Sequence, residues 1–93
     1  MRDVRESQRY TDQCAALGES VRRLDELTGG IVWAAHENAE MIPEIPETNL
    51  RVQRTPPFPG APRMRVFLRI EDDDHVELVN IEIIEEDPDE PTE

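Results

Sequence analysis

The residues of this sequence that are best placed to do chemistry are arginines grouped near its middle. Between residues 51 and 70 there are five arginines and no acid, which gives this segment a local charge of +5. Guanidinium groups bind phosphates and other anions through charge-assisted hydrogen bonds. The segment is therefore a candidate anion-binding surface, and its members are Arg51, Arg54, Arg63, Arg65 and Arg69.

Strand geometry decides which of these arginines can act together. Arg51 and Arg54 are three residues apart and face opposite sides of a strand, whereas Arg65 and Arg69 are four apart and share a side. Phe67 lies between Arg65 and Arg69 on that side, so two guanidinium groups flank an aromatic ring. On an exposed face this arrangement can hold a phosphate and stack a base. Alternatively, the arginine stems simply cover Phe67 on an ordinary charged outer face.

Other reactive side chains in the sequence have ordinary structural explanations. The run Asp72–Asp74 followed by His75 contains metal-ligating groups, but its acids point in different directions, and a solvated turn is expected. Cys14 lies on an apolar stripe and is expected to be a small buried hydrophobe, and Trp33 is expected in the core. No Gly-rich phosphate loop, Ser/His/Asp order or CxxC pair occurs, so neither a cofactor nor a metal is predicted.

The formal charge of −12 comes entirely from the C-terminal quarter of the sequence. Residues 1–70 contain ten arginines and ten acids, whereas residues 71–93 contain twelve acids and no base. Such an acidic block either folds back onto the +5 segment or leaves it open to an external anion. A single cysteine, together with the lack of a signal-like or membrane-spanning apolar run, predicts a cytoplasmic protein with no membrane partner.

Apolar periodicity predicts two helices in the first half of the sequence. A short first helix has Ser7 placed to cap it and Gly18 to end it. The second helix is expected from about Ser20 to about Ala39. Two consecutive glycines, 29 and 30, make a kink in that helix an alternative.

Three strands are predicted after a proline-constrained connector at residues 41–48. Their sequences are NLRVQRT, MRVFLRI and VELVNIEII, and the last one changes its apolar phase midway, which indicates a bulge or burial on both faces. The alternation in MRVFLRI places one side of that strand against the helices. The predicted core comprises Leu17, Val21, Leu24, Ile31, Met64, Val66, Leu68, Ile70 and Val79.

The sequence is thus expected to form one α+β domain over residues 1–84, followed by a disordered acidic tail over residues 85–93. The order of elements, with a short strand near Val4, and the sequence LRVQRT…PGAPRMRVFLRIEDDDHVELV resemble the RelE/ParE toxin superfamily of bacterial toxin–antitoxin systems. The resemblance covers about residues 4–84 and follows that family's pattern LR…RVFY.I..D..V.LL. It implies a helical hairpin on a twisted antiparallel sheet, growth inhibition as the activity, and a cognate antitoxin as partner.

The resemblance also implies a mechanism. Ribonuclease members of the family cleave messenger RNA on the ribosome with basic residues of the central strands, and Arg51, Arg54, Arg65 and Arg69 lie on the matching strands. There they would stabilise the charge that develops on the reacting phosphate. The last strand lacks the Tyr or His that the family places near its C-terminus, so the general acid or base is unassigned.

Two functions without catalysis remain open. ParE-like members of the family inhibit a topoisomerase, so the chain is alternatively a non-catalytic inhibitor or binding module for such a protein target. A further alternative is an acidic mimic of nucleic acid, in which the EDDD turn and the tail occupy a basic groove of the partner.

Overall fold

Two helices and a four-stranded sheet form the α+β fold of this chain, in a computed structural model that describes residues 2–19, 21, 23–56 and 59–84. The strands lie in the order β1-β4-β3-β2. Pairing is antiparallel between β2 and β3 and between β3 and β4, whereas β1 runs parallel to β4. In chain order the elements are β1 (Asp3–Glu6), α1 (Gln8–Gly18), α2 (Leu24–Asn38), a 3₁₀ helix (Ala39–Met41), β2 (Arg51–Arg54), β3 (Met64–Ile70) and β4 (His75–Ile83).

The mixed sheet corrects the expectation of an antiparallel one. Both helices and two strands separate β1 from β4 along the chain, and such a long crossover is what parallel pairing requires. The short strand expected near Val4 is confirmed as β1, but the helices differ from a simple hairpin, since α1 contacts β4 more extensively than it contacts α2. The likeness to RelE/ParE proteins stays a prediction, and the predicted tail, residues 85–93, lies outside the described residues.

Helix α1 begins and ends where its sequence predicts. The Ser7 hydroxyl accepts a hydrogen bond from the Tyr10 backbone N–H at 3.0 Å, which satisfies a donor that the first turn leaves free. Tyr10 is buried, and Cys14 and Leu17 pack against the core while remaining half-exposed. The helix thus presents its apolar stripe to the sheet.

Helix α2 begins later than its periodicity predicts. Arg23 has a left-handed backbone with φ of 61°, which interrupts the helical conformation, so the first helical residue is Leu24. Two glycines, 29 and 30, lie inside one continuous helix, so the kink considered as an alternative does not occur. Trp33 is expected in the core, but this residue is 66% exposed, because it lies two positions beyond the buried Ile31 and so on a different side of the helix.

The core lies between the helices and one face of the sheet, as the alternation in β3 predicts. Met64, Val66 and Leu68 are fully buried, and Ile70 packs partly buried at the end of their row. The neighbouring strand β4 contains a bulge, because Phe67 pairs with Asn80 while Leu68 pairs with Leu78. The intervening Val79 has no partner in β3 and is half-exposed, so its predicted place in the core is wrong.

Candidate anion-binding groove

Two of the predicted arginines lie on the sheet face opposite the helices, and each of them has a carboxylate partner. Arg65 forms an ion pair with Glu82, and the Arg69 Nη2 atom lies 2.6 Å from the Glu77 Oε1 atom. Both carboxylates belong to β4, and both pairs follow the cross-strand register. The charge of this face is therefore balanced by the acidic last strand.

Phe67 on the same face is covered by one of these arginines. The guanidinium carbon of Arg65 lies 5.9 Å from the centre of the Phe67 ring, which is within the range of a cation–π contact. A base that stacks on this face of the ring has to displace Arg65. The arrangement is thus the second of the two alternatives that the sequence left open, in which the arginine side chain covers the ring.

Arg51 faces the other side of the sheet and is bound to the connector that follows α2. Its Nη1 atom donates hydrogen bonds to the carbonyl oxygens of Glu40 at 3.1 Å and Ile42 at 2.9 Å. Its Nη2 atom lies 3.7 Å from a Glu44 carboxylate oxygen. These contacts tie β2 to the end of the helical region, a structural task that occupies much of the donor capacity of this guanidinium.

Arg54 and Arg63 form the remaining cationic site. Neither has a carboxylate within ion-pair distance in the part of the chain that the structure describes. Arg54 is exposed at the end of β2. The Arg63 Nε atom donates to the Thr55 carbonyl oxygen at 3.0 Å, which fixes the side chain and leaves its two terminal nitrogens available.

Both side chains line a groove of about 720 Å³ between α2 and β2. Gly30 and Ala34 lie one turn apart on α2 and are too small to fill the space beside the strand. Ile31 and Pro43 contribute apolar surface, and Arg65 lies at the same rim. The groove therefore combines apolar walls with guanidinium groups, which suits a carboxylate or phosphate attached to a chain.

The strand end that carries these arginines is rigidly held. Thr55 is fully buried, and its hydroxyl accepts a hydrogen bond from the Met64 backbone N–H at 2.9 Å. The Thr55 N–H donates to the Met64 carbonyl oxygen at 2.8 Å. Arg54 and Arg63 thus project from backbone positions on either side of a closed two-strand junction.

The acidic turn between β3 and β4 is held by its own hydrogen bonds. The Asp72 Oδ1 atom accepts from the Asp74 N–H at 2.8 Å and lies 2.9 Å from the Nδ1 atom of His75. The bond to His75 lowers the pKa of Asp72. Within the described ranges no group of three His, Cys, Asp or Glu residues is arranged to hold a metal ion.

Cys14 and its neighbour Tyr10 have the character of packed side chains. Burial raises the pKa of the Cys14 thiol, which disfavours the thiolate that a nucleophile needs. Burial likewise raises the pKa of Tyr10. Neither group faces the arginine-lined groove.

The four arginines named from the sequence are thus divided among three surroundings. Arg69 is paired on the outer face, and Arg51 binds the connector. Arg54 lines the groove beside its cross-strand partner Arg65, which also holds Glu82. Arg63 is the groove residue that the predicted catalytic set lacks. Its position inside the acid-free +5 segment was the available signal.

The acids of the last strand also bear on the nucleic-acid mimic. Glu77 and Glu82 alternate with arginines across the sheet, so this face carries mixed charge rather than a row of negative charges. Mimicry requires a continuous negative surface with phosphate-like spacing. The described part of the last strand is not arranged in that way.

No protein-family model, no curated protein and no solved structure matches this chain. None of the helices in the described residues is long and apolar enough to cross a membrane.

Proposed function

We propose that this chain is a RelE/ParE-like toxin-family protein that inhibits a protein target by binding it, without cleaving RNA. In this role it acts in the bacterial cytoplasm, and a cognate antitoxin neutralises it. A topoisomerase-type enzyme is the class of target that the resemblance suggests. The surface proposed for target binding is the groove between α2 and β2, with an acidic segment of the target as ligand.

One observation carries the choice of binding over cleavage. Arg54 and Arg63 face a groove without a carboxylate partner among the described residues, whereas Arg65 and Arg69 are each neutralised by a glutamate. A guanidinium that already holds a carboxylate has less capacity to stabilise a phosphorane. Cleavage by the strand arginines, with messenger RNA on the ribosome as substrate, is the second candidate function.

Induced expression in a bacterial host separates these functions when growth and the integrity of translated messages are both recorded. We expect the unaltered protein to arrest growth while messages remain intact. Joint replacement of Arg54 and Arg63 by Gln should relieve the arrest, because it removes the two groove cations that have no carboxylate partner among the described residues. Arg9→Gln is the matched control, since Arg9 is an exposed arginine of α1 outside the groove.

The strand arginines provide the contrast. Arg69→Gln should leave growth inhibition in place, because Arg69 is committed to Glu77 and lies outside the residues that line the groove. Messages cut in translated frames, with cutting that disappears in Arg65→Gln and in Arg69→Gln, would establish the nuclease instead. Normal growth on expression of well-folded protein would exclude both toxin functions.

A further inference from the structure

The path of the chain after β4 brings acidic residues to the arginine-lined groove. The Ile84 N–H donates a hydrogen bond to the Arg63 carbonyl oxygen at 2.9 Å, so the last described residue lies beside a residue that lines the groove. The nine residues that follow are Glu85, Glu86, Asp87, Pro88, Asp89, Glu90, Pro91, Thr92 and Glu93. Six of these nine are acids, and none is basic.

The groove has complementary charge and is within reach of this segment. Arg54 and Arg63 present guanidinium groups that no described carboxylate binds. An extended chain covers about 3.3 Å per residue. Because the segment begins next to Ile84, which is hydrogen-bonded to Arg63, its first few residues are long enough to reach the groove. Pro88 and Pro91 favour extended backbone, which lets carboxylates contact arginines without forming a helix.

We propose that residues 85–93 bind in the groove between α2 and β2, with their carboxylates on Arg54 and Arg63. The segment thereby acts as a built-in competitor for the acidic ligand of the groove. This inference uses the same surface as the proposed function, but the intramolecular contact exists without any target and is measured without one.

Tethering makes a weak contact effective. A ligand attached through a few residues has an effective concentration in the millimolar range. Ion pairs too weak to hold a free peptide are therefore sufficient to populate the form in which the segment occupies the groove. These pairs are exposed, and salt therefore weakens them. The segment therefore occupies the groove only part of the time and reversibly, which allows a target to displace it.

Paramagnetic relaxation in the full chain tests this contact directly. A nitroxide label is attached at Thr92→Cys in a chain that also carries Cys14→Ser, which leaves a single reactive thiol. At low salt we expect selective loss of amide signal at the groove, at Ala34, Gln53 and Thr55. Raising NaCl from about 0.01 M to about 1 M shortens the Debye length from about 30 Å to about 3 Å and should restore these signals.

Two sets of variants assign the contact to its charges. Replacing both Arg54 and Arg63 by Gln should remove the signal loss at the groove, and Arg9→Gln should leave it unchanged. Neutralising the segment through Glu86→Gln, Asp87→Asn, Asp89→Asn and Glu90→Gln should have the same effect as removing the groove arginines. This second set replaces only acidic side chains with amides of the same size, and it decides the matter if the double arginine variant fails to fold.

The inference is overturned if the label broadens signals evenly over the surface. It is also overturned if the signal loss is concentrated elsewhere, such as at the outer sheet face. Signal loss at the groove that survives both high salt and neutralised acids would equally contradict a contact based on charge. Growth inhibition plays no part in these measurements. If the intramolecular contact is not found, the proposed function is unaffected. If growth inhibition is not found, the intramolecular contact is unaffected.

Discussion

At the residue scale, Arg2 joins three parts of the molecule through separate groups. Its Nη2 atom lies 2.5 Å from the Glu40 Oε1 atom, and its Nε atom donates to the Asp72 carbonyl oxygen at 3.0 Å. Its backbone N–H donates to the His36 carbonyl oxygen at 2.9 Å. The bond from Arg2 lowers the pKa of Glu40 to about 2, so this contact has a measurable dependence on pH.

We predict that Glu40→Gln flattens the acid side of the stability profile. The pKa of a glutamate in an unfolded chain is about 4.3, so the unfolded state takes up a proton before the folded one does. The stabilisation is therefore complete above that value and is lost as the pH falls toward about 2, the pKa of Glu40 in the fold. Urea unfolding at a series of pH values between those limits measures the difference between the two proteins.

Glu37→Gln is the matched control for that experiment. Glu37 is an exposed carboxylate of α2 with no ion pair among the described residues. Its replacement should leave the acid slope close to that of the unaltered chain. A Glu40→Gln profile parallel to the unaltered one would show that the contact with Arg2 does not persist in solution.

At the element scale, α2 contains a glycine that weakens it without an apparent packing reason. A Cβ added at Gly29 meets nothing within 4 Å, and the backbone there is helical. Gly29→Ala should raise the free energy of unfolding by ~0.5–1 kcal/mol, because it restricts the unfolded chain. Gly60→Ala should lower it instead, since Gly60 has φ of +79°, and thermal melts of the two variants should therefore shift in opposite directions.

The register of β3 and β4 gives a second test at this scale. Leu68 is fully buried, so Leu68→Ala should cost ~2–5 kcal/mol of unfolding free energy. Val79→Ala should cost clearly less, because Val79 lies in the bulge and is half-exposed. Denaturant titrations give both values, and equal costs would contradict the bulge position.

Features set by neighbouring residues were predictable from the sequence. The cap at Ser7, the end of α1 at Gly18 and the alternation in β3 all depend on residues close in the chain. Features set by distant partners were not. The parallel pairing of β1, the left-handed Arg23 and the exposure of Trp33 result from how the elements dock.

The candidate site shows the same division. The +5 segment was visible from composition, but the glutamates that neutralise Arg65 and Arg69 lie seventeen and eight residues away in sequence, respectively. Only cross-strand pairing brings them together, and that depends on register. Arg63 becomes distinct from its neighbours only when the groove between α2 and β2 is formed.

At the scale of the whole molecule, two blocks of opposite charge lie in one short chain. Residues 51–70 carry +5, and residues 71–93 supply the entire excess of negative charge. Part of that negative charge is used within the sheet, by the pairs on Arg65 and Arg69. The acids beyond Ile84 are left to set the long-range field and to compete for the groove.

We predict that a chain ending after Glu85 binds a short RNA oligonucleotide, used as a polyanion probe, more tightly than the full chain at low salt. The change removes Glu86, Asp87, Asp89, Glu90 and Glu93, so the formal charge moves from −12 to −7. Less repulsion and an open groove both favour the probe, and the advantage should fade as salt rises. Fluorescence anisotropy over a salt series measures the difference in affinity, and a full-length chain with amides at the same five positions is the control for length.

Thermal stability should hardly change, because the removed stretch contains no Leu, Ile, Val, Met or aromatic residue that could supply core packing. Equal affinity at low salt would show that the acidic segment does not compete for the groove, and weaker binding after truncation would show that it assists binding instead.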